Sequence, residues 1–193
     1  MIKGMADLLL LNHHGNSVGP LLQLLEEAGA SVYQVDPASL LGRIPVRGYD
    51  GFVASGGYLK GPTHVETLRK YSEFFKGLER PFLGICLGMR ILGYCYGARM
   101  KMTEPVVGHY AVSLKGFPLC PRLSKFTVYQ NHRYELIRPL PPVLEDFTAG
   151  EGPVQAVKVA GEDRYAVQFH PEVGGGPAQG IISNFVVLCS RRR

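Results

Sequence analysis

The first half of the chain alternates between short apolar runs and longer amphipathic ones. "ADLLLLN" is a continuous apolar run with the length of a buried strand. "VGPLLQLLEEAGA" follows, with Leu21, Leu22, Leu24 and Leu25 at helical spacing and Gly29 as a stop. "SVYQVD" and "GYDGFVASGG" predict the second and third strands, the latter ending in glycines. "THVETLRKYSEFFKGLE" predicts a second helix, with Thr63 as N-cap and Glu66 as its capping-box partner. "PFLGIC" is a fourth strand, and "GMRILGYCYGA" opens the next helix. Strands alternating with helices predict an α/β fold, an open, mostly parallel twisted sheet with helices on both faces. The second half differs. "HYAVSLKG", "KFTVYQNH", "DFTAGEG", "VQAVKVAG" and "RYAVQFHP" are short alternating runs that predict a small mixed or antiparallel extension, and "AQGIISNFVVLC" reads as a closing helix. No repeat or linker interrupts residues 1–193, which are expected to form a single domain.

Composition narrows the picture. With 193 residues, 46% hydrophobic and 19% charged, the chain suits one globular α/β domain. Its apolar runs are too short to cross a bilayer, and its first residues do not read as a secretion signal, so a cytoplasmic protein with no membrane association is expected. The net charge of +5 is dispersed, its one dense run being Arg191, Arg192 and Arg193. No basic patch is interleaved with aromatics, and no nucleic-acid partner is expected. The cysteines, Cys86, Cys95, Cys120 and Cys189, have spacings that suit neither zinc nor a disulfide framework. The pair His13-His14 lacks a third ligand, so no metal and no cofactor are expected.

Cys86 stands apart from the other three cysteines. Gly84, Cys86 and Gly88 form G-x-C-x-G between a strand and a helix, the pattern of a nucleophile elbow with cysteine in place of serine. Such a turn holds the side chain in a strained pose, and the flanking glycines keep Cβ atoms out of the crowded bend. The helix that follows aims its N-terminus at the sulfur, which favours thiolate, and the Leu87 N–H is free to donate to an oxyanion. The alternative is a structural cysteine packed at a glycine-rich strand end. The catalytic reading requires a base. In "RYAVQFHPEV" a strand ends at His170-Pro171-Glu172. The proline pushes His170 toward extended backbone, where residues two apart share a side, so Glu172 can orient the imidazole.

"GICLGM" together with "VQFHPEV" resembles the class I (triad) glutamine amidotransferases over nearly the whole chain. The resemblance implies a flavodoxin-like sheet, with Cys86 as nucleophile, His170 as base, Glu172 as its orienter and glutamine as substrate. It places the oxyanion hole at Gly56 or Gly57 of "SGG", together with Leu87. Within the family, "SGG", "QFHPEV" and "GIISNFVVLC" resemble the amidotransferase part of GMP synthases. That implies ammonia made for a separate ATP-pyrophosphatase synthetase subunit, with Arg122, Lys125, Arg133 and Arg138 as candidates for the docking face. A stand-alone γ-glutamyl hydrolase and a non-catalytic regulatory module are the alternatives. The chain departs from the family where Arg90 replaces the usual Gln. Arg90 sits one turn after Cys86, where it can lower the thiol pKa, pair with a substrate carboxylate, or face solvent. His132 is kept in "VYQNHRYEL", but Arg133 and Tyr134 follow it in place of Gly and Asp. His132 is either a substrate-binding residue or a plain loop histidine.

Overall fold

The structure is a computed structural model that describes residues 5–40, 42–58, 63–122 and 124–191. Five strands, β1 (Ala6–His13), β2 (Ala30–Val35), β3 (Gly51–Gly57), β4 (Phe82–Ile85) and, near the C-terminus, β9 (Arg164–Val167), run parallel in the order β2-β1-β3-β4-β9. Two antiparallel strands, β8 (Ala156–Val159) and β7 (Leu144–Asp146), extend the sheet beyond β9. The remaining two, β5 (Met100–Ser113) and β6 (Lys125–Leu136), pair as a separate antiparallel ribbon.

Alternation along the strands explains why the first-half runs are apolar throughout. Leu8 and Leu10 of β1, Val53 of β3 and Leu83 and Ile85 of β4 face one core. That core is closed by helix α1 (Val18–Glu27) and helix α4 (Gly180–Arg191). Leu9 and Leu11, Phe52 and Ala54, and Phe82 face the other. It is closed by helix α2 (Thr63–Gly77) and helix α3 (Leu87–Cys95) through Tyr71, Phe74, Phe75, Ile91 and Leu92. A strand covered on both faces has no polar side to display. Gly29, at φ +92°, stops α1 as expected. The side chain of Thr63, expected to cap α2, and Arg192 and Arg193 lie outside the described residues.

Two element boundaries differ from the sequence reading. "DFTAGEG" is not a strand. β7 ends at Asp146, and beyond it only an isolated bridge from Leu114 to Thr148 remains before the chain bends at Gly150. Gly150 at φ +83° breaks the extended run. The ribbon is longer than "HYAVSLKG" and "KFTVYQNH" predict, because β5 begins at Met100 and carries a bulge between Met102 and Val106 that absorbs Pro105. Of the basic residues expected on a docking face, two lie far apart and one is tied down. Lys125 and Arg133 lie eight residues apart on β6, about 26 Å along the strand. Arg138 is held by Asp146 and the Gly152 carbonyl.

The junction of β3, β4 and α3 is packed backbone to backbone. A Cβ on Gly84 would lie 2.6 Å from the Gly88 carbonyl carbon, and one on Gly88 would lie 2.5 Å from the Ala54 oxygen. Gly88→Ala should therefore destabilise the protein by about 1–3 kcal/mol, lowering Tm by roughly 2–12 °C. Gly19→Ala is the control, since Gly19 lies in α1 with nothing within 4 Å of its added methyl. It should raise Tm slightly, by about 1–4 °C, through the unfolded state. Calorimetry of both variants checks the pair, and equal shifts would contradict the packing described.

Candidate active site

The carboxyl ends of β1, β3, β4 and β9 meet above the sheet, where open parallel sheets bind ligands. Cys86 stands at the end of β4 with φ +51° and ψ −95°, outside the regions that L-residues populate freely. Its N–H donates to the Val167 carbonyl at 2.8 Å and its own carbonyl accepts from Arg90 N–H at 3.2 Å. The turn is thus tied to β9 on one side and α3 on the other. α3 begins at Leu87, whose N–H belongs to the first turn, where the helix supplies no acceptor.

His170 and Glu172 follow β9. The imidazole Nδ1 donates to Glu172 Oε1 at 2.7 Å, and the pair is buried. Tyr129 of β6 accepts from the His170 backbone N–H at 2.9 Å, fixing the segment from the ribbon side. Gly56 explains how the ring reaches the cysteine. A Cβ there would lie 2.5 Å from His170 Cε1 and 3.5 Å from Cys86 Cβ, so the imidazole occupies the space a side chain would need. The glycine reserves room for the base as well as backbone access for a substrate. At Gly57, φ is +148° and a Cβ would lie 2.1 Å from the His13 carbonyl oxygen, so β1 passes too close for any other residue.

The electrostatics follow from burial and proximity. Burial opposes ionisation of the Cys86 thiol, but interaction with His170 and the charges of His170 and Arg90 outweigh it, and its pKa falls below the ordinary thiol value. For His170, burial disfavours the cation, yet the interactions with Cys86 and Glu172 prevail and raise it to about 10. The other two histidines nearby are neutral. His13 is pushed down to about 4 by burial and bonds Tyr71 Oη at 2.7 Å. His132 is also near 4, chiefly through burial and then the charges of Arg90 and His170. Its Nε2–H donates to Gln130 Oε1 at 2.8 Å, which leaves a bare, buried Nδ1. His14 turns outward to Asp36 at 3.1 Å, so the His13-His14 pair does not converge. Among the described residues no three His, Cys, Asp or Glu side chains could hold a metal ion.

Gly57, Leu87, Arg90 and His132 all line one cleft of about 610 Å³, with Tyr58, Tyr94, Asn131, Arg133 and Tyr134. A second lobe of about 270 Å³ shares Gly57, Tyr58 and Asn131 with it and reaches His170 and Ser17. Three contacts were not anticipated from the sequence. Ser17, at the start of α1, makes no cap and instead lies 3.1 Å from His170 Nδ1. Gln168 Nε2 lies 3.8 Å from Cys86 Sγ, and the Asn131 carbonyl lies 3.6 Å from that sulfur. Gln168 carried a signal, since it lies two residues before His170 on one strand end. Ser17 and Asn131 carried none, because 153 residues separate Ser17 from His170 and 45 separate Cys86 from Asn131.

Residues 10–189 match the family described as glutamine amidotransferase class-I. The chain is 31% identical to the glutamine-hydrolyzing GMP synthase subunit of Thermoplasma acidophilum over 76% of this chain and 75% of that protein. It is 27% identical to the protein of the same name from Pyrococcus abyssi, over 94% and 98% of the two chains. The fold superposes with a TM-score of 0.83 on the crystal structure of a Thermoplasma acidophilum protein described as a GMP synthase subunit. That match has 27% identity and covers 97% of this chain and 95% of the other.

The geometry sets the order of thiol reactivity. Cys86 should be alkylated first at pH 7, since burial raises the thiols of Cys95, Cys120 (to about 11) and Cys189. In His170→Ala the remaining burial should dominate. The midpoint of Cys86 alkylation against pH should rise above the ordinary thiol value of about 8.5, and the rate at pH 7 should fall tenfold or more. Site-resolved mass spectrometry reads both, and an unchanged midpoint would separate the imidazole from the thiol.

Proposed function

The chain belongs to the class-I glutamine amidotransferases, and on that footing we propose that it hydrolyses the side-chain amide of glutamine with Cys86, His170 and Glu172, and passes the ammonia to a separate synthetase subunit. The observation that carries this reading is a strained thiol at a helix N-terminus, its ionisation favoured by an imidazole that a buried carboxylate holds in one tautomer.

The steps follow from the charges. The Cys86 thiolate attacks the side-chain carboxamide carbon of glutamine, and the carbonyl electrons move to oxygen. The Leu87 N–H, at the helix start, and Gly57, across the cleft, are the donors for that oxyanion. The C–N bond breaks as the His170 cation gives its proton to the departing amine, leaving a thioester and neutral imidazole. Neutral His170 then takes a proton from water, hydroxide attacks the thioester, and the C–S bond breaks. Glutamate leaves, and the thiolate–imidazolium pair is restored. Glu172 stays ionised and stabilises His170 in its charged form.

The partner reading draws on two observations. The relatives are GMP synthase subunits, and the cleft is rimmed by exposed apolar side chains, Tyr58, Tyr94, Met100, Val107 and Tyr134. A contiguous apolar rim on a soluble surface marks an interaction site. GMP synthesis from xanthosine monophosphate is the reaction these relatives point to, with an ATP-pyrophosphatase partner covering the rim.

Mixing the chain with an ATP-pyrophosphatase subunit from the same source, with ATP and xanthosine monophosphate, should raise glutamate release by about 100-fold or more, as expected if docking completes the oxyanion site. Cys86→Ala should abolish release with the fold intact. Absence of a complex, together with brisk hydrolysis of γ-glutamyl compounds by the chain alone, would identify a stand-alone hydrolase instead. A fully active Cys86→Ala would remove the nucleophile.

A further inference from the structure

Besides His170, Arg90 sets a cation against the thiol, and Arg90 lines the cleft. Its Nη2 lies 3.8 Å from Cys86 Sγ and its Nε 3.5 Å from the Cys86 carbonyl, while the guanidinium sits 6.0 Å from the Tyr134 ring centroid. Among the described residues no carboxylate lies within ion-pair distance of Arg90, nor of Arg133, which lines the same cleft. Among the described residues no Asp or Glu lines either lobe. A guanidinium carries five N–H donors, and the contacts to Cys86 use two of its nitrogens. The remaining donors have no protein anion to meet, and arginine cannot accept from an ammonium group.

We propose that this cleft selects γ-carboxamide substrates that carry a free carboxylate, and that Arg90 is the residue that recognises it; the assignment rests on Cys86 being the nucleophile. Glutamine meets the requirement. With its carboxamide carbon at the sulfur, its α-carboxylate lies four carbon–carbon bonds further on, roughly 5 Å away, within reach of the arginine fork. A planar guanidinium pairs with a carboxylate through two parallel hydrogen bonds, a geometry that lysine and glutamine do not offer. A glutamine side chain within a peptide, or glutamine with its α-carboxyl amidated, leaves the guanidinium unpaired and is disfavoured.

Because Arg90 also favours the thiolate, the test must separate anion recognition from thiol activation. The same thiolate attacks iodoacetate and iodoacetamide, displacing iodide from each, so the ratio of their rates at Cys86 is independent of its ionisation. Relative to a free cysteine thiol, that ratio should be raised about tenfold or more in the parent chain. It should fall to the free-thiol value in Arg90→Gln and stay above that value in Arg90→Lys. In parallel, kcat/KM for glutamine should exceed that for its α-amide about tenfold or more, and Arg90→Gln should erase the preference. A ratio and a preference that Arg90→Gln leaves unchanged would overturn the assignment. A Cys86 that neither reagent labels ahead of the other cysteines would remove the nucleophile, and the assignment with it. Circular dichroism of both variants confirms that they fold.

Discussion

Cys86 holds a backbone conformation that an L-residue adopts only where its surroundings enforce it, and the rest of the site is arranged around that enforcement. A strained residue of this kind costs on the order of 1–3 kcal/mol. The compensation is visible on every side. Its N–H is bonded to Val167 of β9, its carbonyl to Arg90 of α3, and the flanking glycines let α3 begin in backbone contact with β4 and β3. The strain also has a geometric result. The reversed turn sets the buried sulfur against β6, Gln168 and Arg90.

The charges around the sulfur are sorted by the same packing. Three buried histidines lie within or beside the site, yet only His170 has a buried carboxylate against its ring, and only His170 is held cationic. His13 and His132 are given neutral partners, Tyr71 and Gln130, and burial keeps them uncharged. Arg90 adds to this sorting, because its fixed charge lowers both neutral histidines while lowering the thiol. The outcome is one proton-transfer group against one thiolate, with no second titrating imidazole to compete for the proton.

Much of this was legible in the sequence, and the part that was not has a physical reason. The parallel core could be read because strands covered on both faces are apolar throughout, and the elbow because glycine is required where backbone approaches backbone. The two-residue spacing points to His170 and Glu172 as a pair, although what joins them is a turn, closed by the Val173 N–H on the His170 carbonyl at 3.2 Å, rather than the extended run expected. The ribbon boundaries could not be read. β5 is mostly exposed on both sides, so it lacks the alternation that marks a strand with one buried face. The "DFTAGEG" segment failed for the converse reason, since its alternation survives while Gly150 turns the backbone. Ser17 and Asn131 reach the site through tertiary closure alone, which no local pattern records.

Chemistry and selection lie on different elements, and this bears on how the proposed partner would be felt at the thiol. The reacting groups come from β3, β4 and β9, all central and buried. Apart from Tyr58, the apolar rim comes from α3 and the β5–β6 ribbon, whose outer residues are exposed. β6 nonetheless touches both reacting groups directly. Tyr129 accepts from the His170 backbone N–H, and two residues further on the Asn131 carbonyl lies against the Cys86 sulfur. Residues two apart on a strand move together, so a displacement of the ribbon shifts both contacts at once. A thiol that donates to the Asn131 carbonyl is held protonated by that contact, whereas a thiolate finds no donor there. A partner seated on Met100, Val107 and Tyr134, as proposed, would therefore bear on a strand that contacts both His170 and Cys86, without touching the triad itself.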